Sequence, residues 1–225
     1  MIEPLLLSLR VALVALLFAL PVGVLLAWWL SRARPGVRRT LAETLVSLPL
    51  VLPPSAVGVA LLLLLGRGSA LGRFLVDRLH IQLAFAWGGA AVASAVVALP
   101  LIVRAAEAGL SAVDGDLRDA ARTEGATEWQ TICAVTLPLA YRAVLAGATL
   151  GFARAFGEFG ATLIVAGAIP GETETVPLAL WNAIERGDSG AAVRFACLAA
   201  AVSFALLFVA GRFGASVARG RGERI

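Results

Sequence analysis

The sequence predicts an all-α integral membrane protein with about five transmembrane helices, or six if one interrupted run is two pieces. Three observations carry this. The 225 residues are 60% hydrophobic, with a mean hydropathy of +0.88, where a soluble domain is about half apolar. The apolar residues gather in runs of about twenty or more, the length that crosses a bilayer core. The runs are continuous rather than alternating, and such a run satisfies its backbone in lipid as a helix, not as a barrel strand.

The first run covers residues 5–30. Glu3 precedes it, no basic stretch stands before it, and it is too long for the apolar core of a secretory signal, so it is predicted to be a retained helix. The second, 41–65, contains LPLVLPPSAVG, with Pro49, Pro53 and Pro54 in one span. Each proline removes a backbone donor and frees a carbonyl one turn back. Lipid tolerates that where neighbours or a watery cavity satisfy the freed groups. Pro53, Pro54 and Ser55, beside Gly58, are therefore candidates for a kinked helix lining a pathway; a purely structural kink would use the same residues.

The third run is 84–103. The fourth, 141–167, is long and interrupted by Arg154 and Glu158, so it could be two pieces. Four residues apart, this pair is expected to share a helix face. Ionisable groups at such depth usually face a cavity or a partner, which makes Arg154, Glu158 and the nearby Thr162 pathway candidates. A salt bridge at the inner interface, with Arg154 snorkelling, is the alternative. The fifth run is 191–211. Between these two, residues 168–190 cannot span, because Glu172, Glu174, Glu185 and Asp188 are too costly in lipid. The apolar patch VPLALWNAI within it suits the outer interface or a pore entrance.

All 19 basic residues are Arg. With the N-terminus outside, the inner segments hold Arg32, Arg34, Arg38, Arg39, Arg104, Arg118, Arg122, Arg142, Arg212, Arg219, Arg221 and Arg224. The outer ones hold Arg67, Arg73, Arg78, Arg186 and Arg194, while Arg10 and Arg154 fall within spans. The excess inside predicts N-out, C-in. Loop 66–83, with three Arg outside, runs against the rule. The pI near 10.3 reflects these loops rather than a nucleic-acid partner.

Several function classes drop out. Without Lys there is no Walker A loop and no Schiff-base or Ser-Lys catalyst. Cys133 and Cys197 lie in no CxxC pattern and near no His, so free thiols are expected, with no metal site. His80, the sole histidine, sits in an outer loop and reads as structural. No nucleophile–base pair or metal cluster falls in a span, so no catalytic residues and no cofactor are expected. A self-sufficient secondary transporter normally needs internal repeats and more buried charge than one pair; it stays as the weaker alternative.

One polar segment stands apart. In residues 107–138 the apolar period fades and Asp114, Asp116 and Asp119 cluster before an Ala-rich stretch, as at a helix start. Ala120, Ala121 and Glu124 fit a short helix with Gly125 as its stop. The small side chains leave a face that another backbone could approach. An ordinary helical cytoplasmic loop would also fit.

The spacing resembles the EAA motif of ABC importer permeases. Asp119-Ala120-Ala121 precedes Gly125, and Val135, Leu137 and Pro138 follow at the family's interval, with Asp for Glu at 119 and Val for Ile at 135. LPLVLPPSAVG, ARAFGEFGATLIVAG and IPGETETVPLALW are similar to the molybdate branch of that family, whose relatives carry sulfate, thiosulfate and tungstate. The resemblance implies a type I importer permease fold over 5–211, in a bacterial cell (inner) membrane. In it, 107–138 is a coupling segment docking on two ATPase subunits through Asp119, Ala120, Ala121, Gly125, Leu137 and Pro138. It further implies a second copy of the chain, an extracytoplasmic molybdate-binding protein, and ATP hydrolysis on the separate subunit.

Overall fold

A computed structural model describes the backbone of residues 1–222 and the side chains of residues 1–211. Arg212, Arg219 and Arg221 are thus placed by backbone alone, and Arg224 lies outside the described residues. Among these residues every regular element is helical.

The central element is α5 (Trp87–Ser111), flanked by α1 (Ile2–Arg32) and α8 (Leu137–Phe156). Small residues allow this. Ala12, Ala15, Ala19, Gly23 and Ala27 recur every three or four positions on α1 and are all buried, the pattern that lets membrane helices approach closely. On the other side a Cβ at Gly109 of α5 would lie 2.3 Å from the Ala143 Cβ of α8. The last long helix, α11 (Ser189–Gly222), packs on α8 and leaves Phe204, Leu207 and Phe208 exposed.

The predicted span 41–65 is not one kinked helix. It is α2 (Val37–Val51) and α3 (Pro54–Leu65), bent by 110°. Residues before proline are pushed to extended backbone, and two stand in a row: Leu52 has ψ 143° and Pro53 ψ 132°. Neither piece, at 15 and 12 residues, is long enough for a hydrocarbon core about 30 Å thick. Four helices (α1, α5, the α8 span and α11) are long and apolar enough to cross, or five if α2 and α3 together make one crossing. This is a multi-pass membrane protein.

The 141–167 run also divides, into α8 and the short α9 (Gly160–Ala166). The fragment is too short to cross, so the division adds no sixth span. Amphipathic α4 (Ala70–Leu79) occupies the Arg-bearing loop 66–83; Ser69 caps its start, and left-handed His80 (φ 53°) closes its end. The VPLALWNAI patch forms α10 (Val176–Glu185) with Val176, Leu178, Ala179 and Ala183 buried, and the Val176 N–H donates to the buried Ser8 Oγ of α1 at 2.7 Å. It is therefore part of the packed body. Two short helices, α6 (Gly115–Thr123) and α7 (Glu128–Thr131), connect α5 to α8 through a π-helical turn at Ile132–Thr136.

Candidate functional site: a broken-helix crossing and a polar segment

Two places gather the residues expected to matter. The first is the crossing of α3 and α9. Pro53 and Pro54 open α3, with Pro54 in its first turn, where a missing N–H costs nothing. A Cβ at Gly58 would lie 2.9 Å from both the Cα and the carbonyl oxygen of Ala161; one at Gly160 would lie 3.1 Å from the Pro54 Cβ and 3.3 Å from the Ser55 nitrogen. Two backbones thus touch where each carries glycine. Val57, Ala161 and Val165 fill the interior side of the crossing against α5, while Ser55 is exposed.

Arg154 and Glu158 do pair, at 2.6 Å from Nη1 to Oε2, but not on one helix face. α8 ends at Phe156 with Gly157 as its cap, so Glu158 stands in the break between helices. Only 2% exposed, it is the one charged residue so deeply buried among those described. Its second oxygen, Oε1, accepts the Ala161 N–H at 2.8 Å. One carboxylate therefore ties the end of α8 to the first turn of α9, where negative charge is favoured. Arg154 remains partly exposed, and the buried Thr162 hydroxyl has no hydrogen-bond partner among the described residues. Such an arrangement can hold an opening in the helices and offer weak polar contacts.

The second place is the polar segment. Asp114 caps α6, its Oδ1 accepting the Asp116 N–H at 3.1 Å. Asp119 is exposed and accepts from Arg122 at 2.8 Å. Ala120 is exposed and Ala121 half-buried, and α6 buries none of its residues. Gly125 ends the turn with φ +88°, and no atom lies within 4 Å of where its Cβ would be. Leu137 and Pro138 begin α8, immediately after the π turn. Trp129 is 63% exposed. Among the described residues, Ala120 and Gly125 of this small-residue surface are left uncovered.

Sequence reasoning missed what holds this segment in place. Glu128 accepts from Arg32 at the end of α1 and from Arg122 of α6, the latter at 2.7 Å. No local pattern pairs residues 96 positions apart. A second omission is Arg104. It counted as a loop charge because the predicted span stopped at 103, yet α5 runs on to Ser111.

The chain matches, over residues 19–219, the family described as binding-protein-dependent transport system inner membrane component. It is 46% identical over 193 residues to the molybdenum transport system permease protein ModB of Escherichia coli (strain K12), covering 84% of this chain and 83% of that one. The putative molybdenum transport system permease protein YvgM of Bacillus subtilis (strain 168) is 40% identical, covering 91% and 90%. The sulfate transport system permease protein CysT of Escherichia coli (strain K12) is 37% identical, covering 92% and 75%. Among solved structures, the inward-facing MetNI methionine ABC transporter has a TM-score of 0.65 at 20% identity, covering 96% and 93%. A bacterial alginate ABC transporter in complex with its pentasaccharide-bound periplasmic protein has 0.71 at 16%, covering 96% and 78%. At those identities the likeness speaks for the fold, and both are ABC transporters. With that fold and those relatives, the chain belongs to the family of binding-protein-dependent transport system inner membrane components.

Proposed function

We propose that this chain is the permease subunit of an ATP-driven importer that moves molybdate across the bacterial inner membrane. The observation that carries the cargo is the 46% identity to a molybdenum permease over most of both chains, against 37% for the sulfate relative. A related oxyanion (tungstate, sulfate or thiosulfate) is the alternative.

In this reading two copies form the pore. The long unpartnered apolar face of α2 and α3, with Leu41, Leu45, Leu48, Leu63 and Leu64 exposed, suits the second copy and lipid. Two ATPase subunits dock on α6 and its flanks, through Asp119, Ala120, Ala121 and Gly125, with Leu137 and Pro138 leading into the membrane. The periplasmic partner in the alginate complex supports an extracytoplasmic binding protein that delivers the oxyanion. Pro53, Pro54, Ser55, Arg154, Glu158 and Thr162 border the pathway at the α3–α9 crossing. The chain itself performs no covalent chemistry.

Glu158 neutralises Arg154, so the pair attracts a dianion only weakly, as a conduit requires. The test is uptake of labelled molybdate at nanomolar concentration, with and without the gene. Loss of uptake on deletion, with tungstate competing and sulfate not, is expected. Competition by sulfate would move the cargo to the sulfate relatives, and unchanged uptake would sink the molybdate reading.

A further inference from the structure

We propose that the cleft between α2 and α5 is a weak station for a tetrahedral oxyanion, centred on Arg104. The proposal deepens the importer reading and rests on it for the direction of travel. The cleft holds about 430 Å³, ample beside the roughly 30 Å³ that one water occupies in the liquid. Thr40, Thr44 and Ser47 line it from α2 at steps of four and three, which is one helix face, with Leu48 and Val51 forming an apolar wall beside them. Arg104 faces them from α5 and donates through Nη2 to Ser47 Oγ at 2.9 Å.

Arg104 has no carboxylate partner among the described residues, although two acids stand close by. Glu43 lines the same cleft but accepts from Arg39 Nε at 2.7 Å. Glu107, one turn along α5, accepts from Arg39 Nη2 at 3.2 Å. Arg39 thus pairs with both carboxylates, and Arg104 keeps N–H groups beyond the one given to Ser47. Arg104 also lies seven residues before the end of α5, about 10 Å inside it at the helical rise. Its side chain is exposed toward the cleft, so a ligand there can reach it.

The chemistry fits an oxyanion. A guanidinium presents parallel N–H groups that match two oxygens at once. A hydroxyl accepts and donates together, so Ser47 can take the Arg104 bond and give its own proton to the anion. The Thr44 proton is spent on the Thr40 carbonyl at 2.8 Å, leaving Arg104, Ser47 and Thr40 as donors. Arg39 and Arg104 against Glu43 and Glu107 sum to zero charge. The anion is therefore recognised by hydrogen-bond geometry with little net attraction, and it can leave. Because α5 runs from here into the polar segment, the station lies toward the proposed ATPase side, beyond the α3–α9 crossing. The cargo and a lipid phosphate both supply this chemistry.

The probe is tungstate, whose metal scatters strongly. The assembled permease, ATPase and binding protein are purified in neutral detergent and their structure determined with excess tungstate. Tungsten within hydrogen-bonding distance of Arg104 is expected, absent in Arg104→Gln and weakened in Ser47→Ala. A second arm places the assembly in phosphatidylglycerol nanodiscs without tungstate; a phosphate at Arg104 there, with no tungsten in the first arm, makes a lipid the source. An empty cleft in both arms overturns the proposal. In cells, Arg104→Gln should lower molybdate uptake about tenfold or more, the scale of one lost charge-assisted hydrogen bond, with Arg104→Lys intermediate. Tungsten at Arg104 without molybdate uptake by the wild type would sink the cargo and keep the station. Normal uptake with an empty cleft would do the reverse.

Discussion

The polar segment and the α3–α9 crossing are held by opposite means. At α6 nothing is buried, and exposed ion pairs through Arg122 and Glu128 fix the segment to the end of α1. At the crossing two backbones touch through glycines, and one buried carboxylate joins two helix ends. Surface pairs are worth about 0–1 kcal/mol each and are screened by salt. Steric fit and a buried pair tolerate almost no change. The difference teaches that an exposed segment can be loosely moored by surface pairs, whereas a break between two buried helix ends is fixed by the chain's own groups, here Glu158.

The largest effect that would sharpen this contrast is Glu158→Ala. It leaves Arg154 unpaired and removes the acceptor for the Ala161 N–H, so a loss of about 3 kcal/mol is expected, the lower end for breaking a buried pair since Arg154 is partly exposed. Glu158→Gln keeps a carbonyl for that N–H and should lose less. Thermal unfolding in detergent measures both; equal melting of Glu158→Ala and wild type would break the comparison.

Gly58→Ala comes next. Its Cβ would meet the Ala161 backbone at 2.9 Å, and overpacking of this kind costs about 1–3 kcal/mol. The same assay should show destabilisation, and an unchanged melting point would mean that the helices are not in contact there.

Gly125 separates stability from function. Its φ of +88° penalises a branched side chain, but the space around it is open. Gly125→Asn, which tolerates left-handed backbone, should leave melting near normal. Gly125→Trp should abolish molybdate uptake while the protein stays in the membrane. Uptake at the wild-type level in Gly125→Trp would remove the docking role.

The smallest effect is expected for Glu128→Gln. It weakens two exposed pairs at once, and the loss should stay below about 1 kcal/mol and vanish at high salt. A larger, salt-independent loss would show the polar segment to be as rigidly built as the crossing.

Much of the molecule was legible in its residues. The long apolar runs became α1, α5, α8 and α11 because in lipid a continuous run has no alternative to a helix. Asp114 and Gly125 became the start and stop of α6 because caps act within one turn, although the helix begins early enough to take in Asp116 and Asp119 and ends before Glu124. Membership of the family was readable for the same reason: the small residues and glycines of the polar segment stand at fixed spacing along the chain. Only the tertiary structure decided the rest. Three prolines announce a kink, but a 110° division of α2 from α3 depends on what receives the second piece, namely Gly160 and Ala161 about a hundred residues away. Spacing paired Arg154 with Glu158 correctly and their geometry wrongly, since a helix that ends at Phe156 has no shared face beyond it. Arg104 looked like a loop charge until α5 ran on past it and Arg39 took both neighbouring acids. Local chemistry sets where helices start, stop and can bend; which charges remain free is set by contacts between distant segments, which no short pattern encodes.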